Sequence, residues 1–133
     1  MRFLSIYKTA ERNGPPSVEH VTAMQRLIEE MTKAGTLIAT EGCLPTALGA
    51  RVRQAGGQQT VTDGPFTEAK EVVGGFALLE AESKAHAIEL TKRFLDVAGD
   101  GECEIRQVFV APEAVAANPV KQQAHLAAQY AKS

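Results

Sequence analysis

The chain has 133 residues, enough for one domain with its own hydrophobic core. Its 14 Lys and Arg residues nearly balance its 16 Asp and Glu residues, so the net charge of −2 provides no long-range attraction for nucleic acid. No apolar run approaches the ~20 residues that span a bilayer, and the N-terminal apolar stretch is too short for a secretory signal. We therefore expect a cytoplasmic protein that binds neither nucleic acid nor a membrane.

The first part of the chain predicts a strand, a helix and a second strand. Residues 2–8 carry bulky side chains on both faces, which is typical of a central strand covered on two sides. Ser17 can cap a helix with apolar residues at helical spacing, and Gly35 ends it. Residues 36–44 then favour a second strand, which Pro45 ends.

A β-hairpin is predicted over residues 51–63, with Gly56-Gly57 at its turn. Such a turn puts two arginines on one face, opposite two threonines: Arg51, Arg53, Thr60 and Thr62. Arginines at such positions are ordinarily solvated. If the hairpin folds over a cleft, both become candidates for holding a carboxylate or phosphate in a bidentate manner.

The second half repeats the first pattern. Residues 72–81 form the most apolar segment, a helix follows between Ser83 and Gly99, and residues 103–110 indicate a last main strand. The order is β-α-β, a hairpin, and β-α-β, which is the split βαβ arrangement of a ferredoxin-like α+β fold. We expect one domain followed by a helical C-terminal extension, with the boundary between residues 111 and 112.

Two helices can cover only one face of this sheet, although its first and third main strands are apolar on both faces. A second copy of the sheet would cover the other face, and the extension of residues 112–133 is the competing cover. The sequence therefore predicts a homodimer. The only cysteines, Cys43 and Cys103, are interpreted as buried strand thiols at opposite edges of the sheet, where they do not form a disulfide within the chain.

Residues 61–76, VTDGPFTEAKEVVGGF, contain an Asp-Gly-Pro-Phe motif and resemble the signature of the YCII-related proteins, specifically the branch named for that motif. The resemblance runs from about residue 1 to residue 110. It implies a dimeric α/β barrel, in which two ferredoxin-like sheets pack face to face with a cleft at each subunit. It also implies acid–base chemistry on small molecules, and some genes of this branch lie beside those for extracytoplasmic-function sigma factors.

The motif itself has two interpretations. As a turn-former, Asp63 accepts backbone N–H bonds, Pro65 sets φ and Gly64 relieves steric crowding. As a functional group, the Asp63 carboxylate sits at the mouth of the cleft and acts as a base or grips a polar ligand. Phe66 is then either an anchor of the turn or a wall of the pocket.

Three charged residues follow the motif. These residues are Glu68, Lys70 and Glu71. In one interpretation they are solvated side chains at the start of the next strand. In the other they lie beside Asp63, where they raise the pKa of one acid and lower that of another, so that one group acts as an acid and the other as a base. The next strand contains Gly74-Gly75, which indicates a close backbone or ligand approach, a bulge, or tight dimer packing.

His20 lies in the first turn of the first helix, where a partly exposed histidine needs no functional explanation. Our leading hypothesis is a small-molecule lyase or isomerase that uses Asp63 with Glu71 or His20 for proton transfer. The alternative is a non-enzymatic dimer that binds a metabolite or a protein, linked to sigma-factor signalling. We expect no metal or other cofactor, because no histidine pair has ligand spacing and no phosphate-binding loop is present. A small polar or anionic ligand would meet these candidates: Arg51, Arg53, Gly64, Pro65, Phe66 and Lys70.

Overall fold

The computed structural model describes residues 1–133 as six strands, three α-helices and one 3-10 turn. Their bounds are β1 Arg2–Thr9, α1 Val18–Lys33, β2 Leu37–Gly42, the 3-10 turn Thr46–Leu48, β3 Ala50–Ala55, β4 Gln58–Asp63, β5 Val72–Glu80, α2 Lys84–Ala98, β6 Glu102–Gln107 and α3 Pro119–Tyr130.

Four strands form one antiparallel sheet in the order β2-β5-β1-β6, and β3 pairs with β4 as a separate two-stranded hairpin. The first strand of the chain therefore lies in the middle of the sheet, beside the third main strand. This order confirms the ferredoxin-like α+β fold with an inserted hairpin. The hairpin register is also as predicted, since Arg51 is opposite Thr62 and Arg53 is opposite Thr60.

Both long helices pack on one face of the sheet. On β1, Phe3, Ser5 and Tyr7 are buried on that face. The core is a cluster of buried residues from β1, α1, β5, the loop that follows β5, and α2: Phe3, Leu27, Met31, Leu79, Ala81, Ala87 and Leu90. The helix starts follow the sequence prediction, because the Ser17 and Ser83 hydroxyls accept hydrogen bonds from backbone N–H groups at the third residue beyond each cap.

The opposite sheet face, here called the open face, carries apolar side chains at its centre. Leu4 on β1 lies opposite Leu78 on β5, and Ile6 lies opposite Phe76. Phe76 keeps 38% of its surface exposed. The C-terminal helix α3 contains no buried residue. The two strands of the hairpin are also exposed along their whole length.

Two details differ from the sequence predictions. The last strand ends at Gln107 instead of residue 110, because its pairing partner ends: Gln107 lies opposite Phe3, and the next bond runs from the Val108 N–H to the Arg2 carbonyl. The interpretation of Cys43 as a buried strand thiol is wrong, since it follows β2 and is exposed, whereas Cys103 on β6 is half-buried. The strands β2 and β6 do lie at opposite edges of the sheet.

Candidate functional site

The Asp-Gly-Pro-Phe turn is docked against the 3-10 turn that follows β2. The Gly64 N–H donates to the Gly49 carbonyl at 2.9 Å, and the Phe66 N–H donates to Thr46 Oγ1 at 3.2 Å. A Cβ atom on Gly64 would lie 1.6 Å from the Thr46 carbonyl oxygen. The approach is so close that no side chain fits at position 64.

Glu11, in the loop after β1, joins this arrangement from the other side. Its Oε1 atom accepts a hydrogen bond from the Thr46 backbone N–H at 3.1 Å and another from the Thr46 hydroxyl. Thr46 thereby links three segments that are distant in sequence: the loop after β1, the 3-10 turn and the Asp-Gly-Pro-Phe turn. These contacts fix the path of the chain between the end of the hairpin strand β4 and the start of the sheet strand β5.

Asp63 is the last residue of β4 and is exposed. Its carboxylate takes part in no side-chain hydrogen bond or ion pair of the chain. The turn is held instead by the hydrogen bonds of Gly64, Thr46 and Glu11. The carboxylate is therefore available to solvent or to a ligand.

A pocket of about 320 Å³ lies beside this turn. We call it the polar pocket, and it is lined by Lys8, Thr46, Arg51, Phe66, Glu71, Val72 and Val73. The Arg51 guanidinium stacks on the Phe66 ring, with Cζ 3.9 Å from the ring centroid, and forms an ion pair with Glu68. Lys8 reaches the pocket from β1, and its Nζ atom lies 3.1 Å from Glu104 Oε1 on β6.

The charges around the polar pocket shift one another's pKa values. The hydrogen bond from Arg51 lowers the pKa of Glu68. The hydrogen bond between Lys8 and Glu104, together with their mutual attraction, raises the pKa of Lys8 and lowers that of Glu104. Glu71 adds a smaller increase to the Lys8 pKa. The pocket thus presents two cations and one carboxylate of its own, with two further carboxylates at its rim.

The polar pocket brings together three residues that the sequence singled out: Arg51, Phe66 and Glu71. Gly64 and Pro65 belong to the adjoining turn. The remaining candidates of the hairpin and the motif are exposed and lie outside the pocket lining: Arg53, Asp63 and Lys70. Their roles stay predictions.

His20 lies elsewhere. It is half-buried at the start of α1 and lines a second cavity of about 970 Å³ between the helices and the sheet. Neither Asp63 nor Glu71 lines that cavity. The structure therefore does not bring His20 together with the two carboxylates that the sequence analysis paired with it.

Sequence reasoning missed three residues that build this region. Lys8 had a signal, since a lysine at the end of an apolar strand can reach the rim of the sheet. Thr46 and Glu11 had none, because their contact joins two loops separated by 35 residues.

The YCII-related domain profile matches residues 1–112. The chain belongs to the YCII-related family. Membership of the branch named for the Asp-Gly-Pro-Phe motif stays a prediction, although the motif stands intact at residues 63–66.

One relative is found among curated proteins. "Uncharacterized protein R00369" of Rhizobium meliloti (strain 1021) is 33% identical over 72 residues, which cover 54% of this chain and 56% of that protein. The aligned region thus spans about half the length of the curated relative. Among solved structures, CutA from Xylella fastidiosa matches 91% of this chain and 96% of its own, with a TM-score of 0.39 and 10% identity.

No group of three or more His, Cys, Asp or Glu side chains is arranged so that it could hold a metal ion. None of the helices has the length and apolar character needed to cross a membrane.

Proposed function

We propose that this YCII-related protein is a homodimer that binds a small polar molecule bearing a carboxylate or phosphate group in the polar pocket. The observation that carries the proposal is the convergence of Arg51, Lys8 and Glu71 on one pocket beside the Asp-Gly-Pro-Phe turn. The two cations can hold an acidic group, and the Glu71 carboxylate in the same pocket can exchange a proton with the rest of the ligand.

Arg51 is prepared for an acidic ligand by its surroundings. Stacking on Phe66 holds the guanidinium plane in one orientation, which favours a bidentate contact. The guanidinium already binds a carboxylate, that of Glu68, whose side chain is 67% exposed. Exposed ion pairs contribute only about 0–1 kcal/mol, so a ligand carboxylate can take the place of Glu68 at little cost.

Glu71 is the group in this pocket best placed for proton transfer. Lys8 lies close enough for the Glu71 charge to act on its pKa. In a lyase or isomerase reaction without a cofactor, Glu71 would remove or return a proton while Arg51 holds the acidic group. Asp63, exposed at the end of β4, would approach the same ligand from the turn.

In the proposed dimer, the second copy of the chain would cover the polar pocket. Lys8 pairs with Glu104, which lies opposite Ile6 on the open face, so the pocket is at the edge of that face. A second copy packed on the open face would cover the apolar centre formed by Leu4, Ile6 and Leu78 and exclude water from the neighbouring pocket.

The test compares two arginines that each form an exposed ion pair with a glutamate. Arg51→Gln removes the guanidinium from the pocket, and the control Arg93→Gln removes the Arg93–Glu30 pair between the helices. Small carboxylates and organic phosphates are screened by thermal unfolding and calorimetry. A ligand at a hundred times its dissociation constant should add about 2.7 kcal/mol to the unfolding free energy of the wild type and of Arg93→Gln, and almost nothing to Arg51→Gln. The proposal fails if no compound stabilises the wild type more than Arg51→Gln.

The variant Glu71→Gln distinguishes the enzyme hypothesis from the binding-protein hypothesis. For an enzyme, this variant should keep ligand binding and lose on the order of 10² to 10⁴ in turnover. A ligand that binds wild type and variant alike and is recovered unchanged would support the second candidate, a non-enzymatic metabolite-binding dimer. The observation that favours this second candidate is that Glu71 is the only carboxylate in the lining of the polar pocket, which includes neither Asp63 nor His20.

A further inference from the structure

The cavity between the helices and the sheet lies on the side of the sheet opposite the open face. It has a volume of about 970 Å³ and is bounded by Tyr7, Met24, Ile28, Gly74 and Phe94, among other residues. The cavity is partly open to solvent, so its lining is accessible to a ligand. Its volume is at the upper end of the range of roughly 300–1,000 Å³ typical of small-molecule sites.

The cavity adjoins the hydrophobic core and shares four of its residues: Leu27, Met31, Leu79 and Leu90. Phe3, which lies opposite Leu79 on the neighbouring strand, belongs to the core and does not line the cavity. Along β5 the cavity lining continues through Gly74 and Gly75, which have no side chains to fill the space. Gly75 is also required by the strand itself, because a Cβ there would lie 2.7 Å from the Glu41 carbonyl oxygen.

One wall of the cavity is a fixed aromatic pair. The Tyr7 ring meets the Phe94 ring edge to face, with centroids 5.2 Å apart. The Tyr7 hydroxyl donates to the Asp100 carbonyl at 2.8 Å. The ring also lies against Gly74, where a Cβ would be 3.2 Å from Tyr7 Cδ2. Because Tyr7 is held on both sides, this wall is already in place before anything binds.

Exposed polar groups lie at the mouth of the cavity, and Ser5 and Thr91 are buried polar residues of its lining. His20 on α1 and the loop of residues 10–16 line the entrance. Arg12 in that loop donates from Nη2 to the Ala98 carbonyl at 3.3 Å, and Glu11 is bonded to Thr46, so the loop is tied at two points. The imidazole of His20 takes part in none of the hydrogen bonds within the chain, although its backbone N–H bonds to Ser17. A mostly apolar lining with a few polar groups is the usual form of a small-molecule site.

We propose that this cavity is a second ligand site, which takes a small molecule with an apolar, ring-sized body and one hydrogen-bonding group that remains at the mouth near His20. Tyr7 and Phe94 provide the aromatic wall, and Met24 and Met31 of α1 provide an adaptable opposite wall. This site is separate from the polar pocket. Only Val72 and Val73, at the start of β5, line both.

The three methionines of the chain offer a direct test. Met24 and Met31 line the cavity, whereas Met1 does not and is 52% exposed at the N-terminus. Full-length protein labelled with carbon-13 at the methionine methyl groups is titrated with 2-naphthol, a neutral two-ring probe with one hydroxyl. We expect saturable shifts of the Met24 and Met31 methyl resonances and none for Met1.

A pair of matched variants locates the probe. Val21 on α1 lines the cavity and is 39% exposed, whereas Ile88 on α2 does not line it and is 37% exposed. Val21→Trp should weaken 2-naphthol binding at least about tenfold by filling the entrance, and Ile88→Trp should leave binding unchanged.

The proposal is overturned if the methyl resonances do not move, if all three move together without saturation, or if folded Val21→Trp binds as tightly as the wild type. If Val21→Trp does not fold, the methionine pattern of the wild type decides alone. Because 2-naphthol carries no acidic group, the result does not depend on Arg51, and the polar pocket can fail its own test independently.

Discussion

At the residue scale, Gly64 is the most constrained position of the Asp-Gly-Pro-Phe motif. The space that a Cβ would need is occupied by the Thr46 carbonyl, whereas Asp63 points its carboxylate at no partner in the chain. The sequence suggested that the aspartate could form the turn through its side chain. The structure shows a turn formed by backbone contact across two loops, and the glycine allows that contact.

Substitutions in this motif should therefore affect stability unequally. Gly64→Ala should destabilise the fold by about 2 kcal/mol or more, because the backbone of one loop must move to admit the methyl group. Asp63→Asn and Asp63→Ala should each stay within about 0.5 kcal/mol of the wild type, since no hydrogen bond is lost.

The measurement is urea unfolding, and Gly14→Ala is the control, because no atom lies within 4 Å of its added Cβ. Wild-type stability in Gly64→Ala would show that the two loops are not in contact in solution. A loss of about 1 kcal/mol in Asp63→Ala would restore the turn-forming interpretation of that side chain.

At the scale of elements, the sequence identified every main strand, both long helices and the hairpin register, because local patterns specify them. Ser17 and Ser83 cap their helices, and the Gly56-Gly57 turn determines which residues pair across the hairpin. Features that depend on two distant segments were not predictable. The end of β6 at Gln107 depends on where β1 begins, and the helix–sheet cavity depends on how far the helices stand from Gly74 and Gly75.

The ion pair between β1 and β6 should make stability depend on pH in a defined way. Lys8 lowers the pKa of Glu104. The contribution of this ion pair to folding stability is therefore present above the unfolded-state Glu pKa of about 4.3 and is lost as pH falls through the lower pKa of folded Glu104. Glu104 in turn raises the pKa of Lys8, so the contribution is also lost as pH rises through that raised value.

The variant Lys8→Met removes this linkage. The difference in unfolding free energy between wild type and Lys8→Met should be constant near neutral pH and should shrink below about pH 4 and above about pH 10.5. Chemical unfolding across this range measures it, with Lys92→Met, which removes the exposed Lys92–Glu89 pair within α2, as the control. A difference that does not change with pH would show that Lys8 and Glu104 are not paired in solution.

At the scale of the whole molecule, the chain on its own is thinly packed. Only 12 of its 133 residues are buried, and those of the apolar core lie in the layer between the helices and the sheet. The open face keeps Leu4, Ile6, Leu78 and Phe76 partly accessible, and every residue of the two hairpin strands is exposed. A domain of this size normally buries more, which favours a partner on the open face.

A second copy of the chain is the partner that we expect, because two such faces present the same apolar centre to each other. Sedimentation at micromolar concentration should give twice the chain mass of 14.2 kDa. Leu78→Glu places a charge at the centre of the open face and should give monomers, whereas Ile88→Glu on α2 should leave the dimer intact. If the wild type sediments as a monomer, or if Leu78→Glu leaves the dimer intact, the proposed packing of two open faces is wrong.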